Sequence, residues 1–326
     1  MNNGEIVSEA SRRRTFAIIS HPDAGKTTLT EKFLLYSGAV QEAGAVKARS
    51  GGRGATSDWM ELERQRGISI SSTVLQFPYG DKQFNLLDTP GHRGFSEDTY
   101  RVLTAVDAVI MVLDTAKGLE SQTLKLFDVC RSHNLPVLTF FNKYDRPGRD
   151  PLELLDEVEQ QIQLRATPAT WPVGIPGDFR GVIDRRDGSY VRFTRTARGA
   201  SEAHEELLSP EQAAEIEGAA WTQAMEGCSL LEAIDANVDM PSFLSGHSTP
   251  VFVGSAITNF GVRMLLDAVA DLAPAPTSRT ARDGSVREID GDFSAQVFKI
   301  QANMDPNHRD HIAFARVSSG KFERNM

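Results

Sequence analysis

The chain has 326 residues, of which 40% are hydrophobic and 24% are charged, and its formal net charge is −9 at pH 7. This length predicts about two domains and is sufficient for a large buried core. The acidic balance argues against a dedicated DNA-binding protein, and no apolar run approaches the ~20 residues that a membrane-spanning helix needs.

Cysteine content and the N-terminal sequence predict a compartment. We interpret Cys130 and Cys228 as buried apolar side chains without a function, and two cysteines in a chain of this length indicate a reducing environment. The polar residues 1–11 do not have the composition of a signal peptide, and we interpret the basic cluster at residues 12–14 as solvated. We therefore expect a cytoplasmic protein without a membrane partner. We also expect a monomer.

A phosphate-binding loop is predicted between a buried strand at residues 16–19 and a helix at residues 29–35. Ser20 stands where the general pattern has its first glycine, so this loop alone is a moderately specific signal. We predict that a nucleotide contacts residues of the whole loop: Ser20, His21, Pro22, Asp23, Ala24, Gly25, Lys26, Thr27 and Thr28.

Three residues of this loop have predicted roles. Gly25 lets the backbone approach phosphates because it has no Cβ, and the N–H groups at the helix start point at them. Lys26 is placed to reach the β- and γ-phosphates as a point charge. The Thr27 hydroxyl is placed to bind Mg²⁺.

The next segment, residues 36–66, is polar and glycine-rich and has no strong period. Such a loop suits a switch segment, in which Ser69 completes the Mg²⁺ coordination only when a γ-phosphate is present. On this stretch alone, a surface loop with an ordinary serine is the favoured interpretation.

Paired strands are predicted at residues 71–77 and 84–87, and the second strand runs into Asp88, Thr89, Pro90, Gly91 and His92. Asp88 has the position of an acidic residue that holds Mg²⁺ through water. Gly91 can donate its N–H to the γ-phosphate, and His92 can orient the attacking water. We predict that the nucleotide contacts all five of these residues.

Apolar strands at residues 108–114 and 137–141 alternate with a helix at residues 122–134, which predicts an α/β fold with a parallel sheet. The second strand ends in an N-K-x-D group. Asp145 offers acceptors suited to the N1–H and exocyclic amine of guanine, which adenine lacks as a pair. The Lys143 stem can cover the base, and Asn142 can tie this loop to the phosphate loop.

A last core strand is predicted at residues 250–256, where the backbone N–H groups of Ser255 and Ala256 can donate to guanine O6. Before it, residues 163–249 are predicted as an insertion in the core fold. The acidic part of this insertion, residues 202–217, is predicted to be helical with its charges facing solvent.

These elements divide the chain into domains. A lead-in, residues 1–13, precedes a nucleotide-binding domain at residues 14–273, which a helix closes, and residues 274–290 form a linker. Residues 291–326 alternate like the strands of an all-β module. They contain too few strands to close a barrel, so we expect this module to be incomplete.

Together the motifs resemble the G domain of translational GTPases, the family that includes elongation factors Tu and G. Stretches at residues 20–28, 57–63, 95–101 and 170–174 carry a closer resemblance to the members that act in translation termination. The resemblance implies a P-loop GTPase domain followed by the start of a β-barrel domain. It also implies GTP and GDP with Mg²⁺ as ligands. The implied partners are the ribosome, which stimulates hydrolysis, and the class I release factors, which leave it after peptide release.

The resemblance also implies roles for individual residues. Mg²⁺ and the phosphates would be surrounded by Asp23, Lys26, Thr27, Ser69 and Asp88. Water would be positioned by His92, with Pro22 and Ile68 as its apolar gate. Guanine would be held by Asn142, Lys143, Asp145, Ser255 and Ala256.

Two features depart from this family. Arg93 and Gly94 stand where the family has Glu and Asp, which changes the charge of the second switch, and the family continues beyond the partial barrel. Two alternatives therefore stay open. One is a guanine-nucleotide-binding module without productive ribosome-coupled turnover. The other is a P-loop ATPase or kinase, against which Asp145 argues.

Overall fold

The computed structural model describes residues 3–38, 73–89, 96–194, 201–281, 283–302 and 311–326. The predicted switch residues 36–66 lie almost entirely outside these ranges. The strands of the described parts are β1 (Arg13–Ser20), β2 (Thr73–Tyr79), β3 (Lys82–Asp88), β4 (Ala108–Asp114), β5 (Val137–Asn142), β6 (Arg165–Pro168), β7 (Thr170–Ile175), β8 (Asp178–Asp184), β9 (Tyr190–Thr194), β10 (His204–Leu208), β11 (Ser248–Val253), β12 (Arg279–Thr280), β13 (Val286–Arg287), β14 (Ser294–Ala302) and β15 (His311–Ser319). The helices are α1 (Asn3–Ser11), α2 (Lys26–Tyr36), α3 (Ser96–Leu103), α4 (Ser121–Ser132), α5 (Pro151–Ile162), α6 (Pro210–Glu217), α7 (Ala219–Ala233), α8 (Met240–Leu244) and α9 (Val262–Leu272).

The main sheet of the described residues has seven strands in the order β2-β3-β1-β4-β5-β11-β6, and β2 is the antiparallel strand among them. Phe16 and Ile18 pack into one hydrophobic cluster, and Ala17 and Ile19 pack into the other. Both faces of the central strands are therefore covered, which is why their sequences are continuous apolar runs. The predicted α/β fold with a mostly parallel sheet is confirmed. Its parallel strands end at one edge, where ligands bind in such folds.

The segment predicted as an insertion is divided between two sheets. Its first strand, β6, pairs in parallel with β11 and forms an edge of the main sheet. The following strands form a separate antiparallel sheet in the order β10-β9-β8-β7. The short run of residues 165–168 gives no local sign of its partner, since β11 lies about eighty residues later in the chain.

The prediction of a solvated helix at residues 202–217 is wrong in its first half and for one of its charges. Residues 204–208 form β10, in which Glu205 and Glu206 lie opposite Phe193 and Arg192 of β9. Only α6 is helical, and its Glu217 is 5% exposed. Arginines on β8 and β9 supply the partners that the carboxylate needs when it is buried.

The N-terminal lead-in is ordered as α1, and the prediction that the basic cluster is solvated is wrong for Arg14. This side chain is 9% exposed and donates to the carbonyl groups of Ala270 at 3.1 Å and Ser11 at 2.9 Å. Carbonyl groups at the ends of α9 and α1 thus accept hydrogen bonds from the guanidinium, which compensates its burial.

The two cysteines are buried and unpaired in disulfides, and burial raises the pKa of Cys130 to about 12 and that of Cys228 to about 11. Both thiols therefore stay protonated and unreactive at neutral pH, as expected for cysteines that serve as buried apolar side chains. Among the helices that the structure describes, none is long and apolar enough to cross a membrane.

Candidate nucleotide-binding site

The phosphate loop connects β1 to α2. Gly25 precedes the first residue of α2 with φ +104°, a conformation that favours glycine. A Cβ at this position would collide with the side-chain amide of Asn142. Lys26 is 7% exposed, whereas Thr27 and Thr28 are half-buried and Asp23 is exposed. The loop therefore presents a helix N-terminus, a cation and a hydroxyl at one place, a set of groups that fits phosphates and Mg²⁺.

Asn142 joins three loops at the edge of the sheet. Its Nδ2 donates to the carbonyl of Ala24 in the phosphate loop at 2.7 Å, and its Oδ1 accepts from the N–H of Ala256 at 2.8 Å. The side chain is buried, with 2% exposure, so both hydrogen bonds are shielded from water. Asn142 thereby ties the ends of β5 and β11 to the phosphate loop.

The base-binding side of the site contains Asp145 and the turn after β11. The Ser255 hydroxyl donates to Oδ1 of Asp145 at 2.6 Å, which orients the carboxylate. The predicted donation of two backbone N–H groups to guanine differs from what the structure shows. The N–H of Ser255 donates to Phe260 O at 2.9 Å, and that of Ala256 is taken by Asn142. Acceptors within the protein thus occupy both donors, and Ser255 contributes its hydroxyl instead.

Lys143 bridges the base-binding and phosphate loops. Its backbone has φ +67°, and its Nζ donates to Oδ2 of Asp114 at 2.7 Å and to the carbonyl of Asp23. Burial raises the pKa of Asp114, but hydrogen bonds from Lys143 and from the N–H of Ala116 outweigh burial and leave the pKa below its ordinary value. The sequence does not single out Asp114, although it shares one signal with Asp88: an acidic side chain at the end of a buried strand.

His21 lies on the outer side of the phosphate loop. Its Nε2 is 3.0 Å from Nζ of Lys117 and 2.6 Å from Oε2 of Glu120. Burial lowers the pKa of His21, and the Glu120 carboxylate opposes this only in part. These contacts hold the imidazole against the turn after β4. Since Lys117 and Glu120 are about a hundred residues away in the chain, no local pattern predicts them.

The second predicted phosphate-facing segment is described only at its start. β3 pairs in parallel with β1, and this register places the backbone of Asp88 opposite Ile18. The Thr89 hydroxyl donates to the carbonyl of Ile18 at 2.5 Å, which fixes the exit of β3 beside the phosphate loop. The remaining predicted site residues lie outside the described residues: Ile68, Ser69, Pro90, Gly91 and His92, together with Arg93 and Gly94.

Comparison with protein families agrees with this geometry. The family model described as "Elongation factor Tu GTP binding domain" matches residues 11–275, and "Elongation factor G domain 2" matches residues 292–326. The first match covers most of the chain and includes the phosphate loop, Asn142 and Asp145. The chain belongs to the family of the elongation factor Tu GTP-binding domain.

Individual relatives show which members of this family the chain is similar to. The chain is 55% identical over 325 residues to Peptide chain release factor 3 of Gloeothece citriformis (strain PCC 7424), covering 99% of this chain and 60% of the relative. It is 56% identical to the protein of the same name from Synechococcus elongatus (strain ATCC 33912 / PCC 7942 / FACHB-805), covering 99% and 58%. The predicted resemblance to translation-termination members of the family is confirmed. The chain spans about 60% of the length of these relatives.

A solved structure supports the fold. A crystal structure of a protein from Thermus thermophilus aligns with a TM-score of 0.71 and 25% sequence identity, covering 94% of this chain and 45% of that one. The likeness extends through nearly all of the chain, so it includes the region after the main domain.

Proposed function

We propose that this chain binds GTP and GDP with Mg²⁺ and hydrolyses GTP to GDP and phosphate during translation termination. The observation that carries the proposal is the position of Asn142. It joins the phosphate loop to the two loops that hold Asp145 and Ser255. One ligand with phosphates at one end and a guanine at the other would span these loops. The names of the relatives support the further step to termination.

Each group of residues has a separate role in this proposal. Lys26 and the N-terminal N–H groups of α2 neutralise the phosphates, and Asp145 selects guanine. Thr27, Ser69 and Asp88, the last through water, would hold Mg²⁺, which neutralises the charge that develops on the phosphates. His92 would orient the attacking water, and Pro22 and Ile68 would limit access to it. Because phosphoryl transfer leaves little covalent chemistry for the protein to perform, these residues would act by holding the water in line with the γ-phosphate.

The same proposal includes the partners and the compartment. The ribosome would stimulate hydrolysis, and the cycle would promote dissociation of class I release factors after peptide release. We place this activity in the cytoplasm and expect the chain to act as a monomer. Relatives named Peptide chain release factor 3 support this assignment.

Hydrolysis by the 326-residue chain tests the proposal. Phosphate release from GTP would be measured with and without bacterial ribosomes, for the wild type and for His92→Ala. We expect stimulation by ribosomes that the substitution abolishes, with GDP affinity unchanged and with no competition from ATP. Tight GDP binding without stimulation would instead indicate a guanine-nucleotide-binding module without turnover. Competition by ATP at equal concentration would contradict the guanine site itself.

A further inference from the structure

The turn after β4 lies against the phosphate loop. Lys117 N and Gly118 N both donate to the carbonyl of Asp114, at 3.0 and 2.8 Å, and Thr115 N donates to Asn142 O at 3.0 Å. The turn is therefore built on the end of β4 and attached to the end of β5. The residues of this turn therefore lie beside the phosphate loop of the nucleotide-binding site.

The carboxylate of Asp114 uses its two oxygens for different tasks. Oδ1 accepts from the N–H of Ala116 at 2.9 Å, which closes the turn, and Oδ2 accepts from Nζ of Lys143 at 2.7 Å. The residue is 7% exposed, whereas the Lys143 side chain is 23% exposed. A charge-assisted hydrogen bond at this depth is stronger than one at the surface.

The position of Lys143 depends on this contact. A lysine side chain has four rotatable bonds, and leaving it free in water is favoured by rotamer entropy. Here Nζ is drawn to Asp114 and lies within hydrogen-bond distance of the carbonyl of Asp23 as well. The stem of Lys143 is thus fixed between the base-binding loop and the phosphate loop.

We propose that Asp114 is a positioning residue for the nucleotide, because it holds Lys143 against the phosphate loop. The inference rests on the proposed guanine-nucleotide site and adds a residue to it. Without Asp114, Nζ of Lys143 turns to solvent, and the carbonyl of Asp23 loses its donor. Of the contacts described here between the base-binding loop and the phosphate loop, only those of Asn142 are then left. Nucleotide release then becomes faster.

Asp114→Asn tests this assignment. Its Oδ1 still accepts from the N–H of Ala116, so the turn closes, but the Nδ2 group that replaces Oδ2 is a donor and cannot accept from Lys143. With a fluorescent GDP, we expect the dissociation rate to rise about tenfold, which corresponds to about 1.4 kcal/mol. Asp107→Asn is the matched control, since Asp107 directly precedes the same strand, has a side chain that is only 9% exposed and is paired with Arg279 and Arg316. We expect it to lower the melting temperature and to leave GDP release unchanged.

A double-mutant cycle separates positioning from simple turn stability. If Asp114 acts through Lys143, Asp114→Asn adds nothing further to the GDP release rate of Lys143→Met. Additive effects, or release at the wild-type rate in Asp114→Asn, would overturn the inference. If Asp114→Asn does not fold, Asp114→Ser takes its place, because a serine hydroxyl also accepts from the turn N–H but does not reach Lys143. A wild type that fails to bind GDP would reject the proposed function, not this assignment.

Discussion

At the scale of single residues, Gly25 carries two separate constraints. Its φ of +104° is costly for any side chain, and a Cβ would strike the Asn142 amide that holds Ala24. We predict that Gly25→Ala displaces Asn142 and weakens GDP binding at least tenfold, and that the backbone strain costs about 1–3 kcal/mol of stability. Calorimetric GDP titration and thermal unfolding would measure the two effects.

Gly80 provides the control for this prediction. It also has a positive φ, +56°, but among the described residues no heavy atom other than those of its chain neighbours lies within 4 Å of its Cβ position. Gly80→Ala therefore introduces strain without a collision and should lower stability with GDP affinity intact. Equal GDP affinity for Gly25→Ala and the wild type would show that the Asn142 contact does not shape the site.

The sequence predicts which chemical groups form the site better than it predicts the hydrogen bonds between them. The side-chain types of Lys26, Asn142 and Asp145 directly indicate which groups each residue can bind. The structure places all three around one edge of the sheet. The partners of a backbone N–H are different, because they are set by tertiary contacts. Ala256 N and the carboxylate of Asp114 are engaged by side chains at and just after the end of β5, which no local pattern displays.

At the scale of elements, Glu217 shows how the inserted sheet holds α6. Its carboxylate accepts from the Tyr190 hydroxyl at 3.0 Å, from Nε of Arg192 at 3.1 Å and from Nη1 of Arg180 at 3.3 Å. The carboxylate is nearly inaccessible, with 2% side-chain exposure, so two partly exposed arginines compensate a buried charge. The end of α6 is thereby fixed to β8 and β9.

Glu217→Gln tests this attachment. The neutral amide keeps the volume of the side chain but weakens the bonds to both arginines. We predict a loss of about 1–3 kcal/mol in the free energy of unfolding, the range for hydrogen bonds to charged groups. Urea unfolding would measure it. Glu215→Gln, on the exposed face of the same helix, should change stability little, and equal stability of the two variants would contradict the role of Glu217.

Elements with strong internal patterns are the ones that the sequence predicts. β4 and β5 are continuous apolar runs, and their burial on both faces follows directly. β10 is the contrary case, since its acidic sequence has low strand propensity and forms a strand because β9 offers an edge to pair with. Tertiary pairing overrides local preference there, so residues 204–208 taken alone do not predict it.

At the scale of the whole molecule, Asp107 links the main domain to the residues after it. Its Oδ1 accepts from Arg279 in the predicted linker at 3.0 Å, and its Oδ2 accepts from Arg316 on β15 at 2.7 Å. Arg316 also donates to the carbonyl of Ala105 at 3.0 Å. One half-buried carboxylate thus pairs with arginines of the linker and of the β14–β15 hairpin, although the sequence predicts the hairpin only as part of a separate all-β module.

Arg316→Ala should loosen the hairpin from the main domain. Asp107 keeps Arg279, but Oδ2 and the carbonyl of Ala105 lose their donor where Asp107 is only 9% exposed. We predict a stability loss of about 1–3 kcal/mol and faster proteolysis of residues 274–290, with GDP affinity unchanged because the nucleotide site lies at the opposite end of β4. Arg287→Ala, an exposed arginine on β13, is the control for loss of a charge. Proteolysis at the same rate in both variants would mean that Arg316 does not hold the hairpin, and that the apolar contacts of Phe298 and Phe314 carry the attachment.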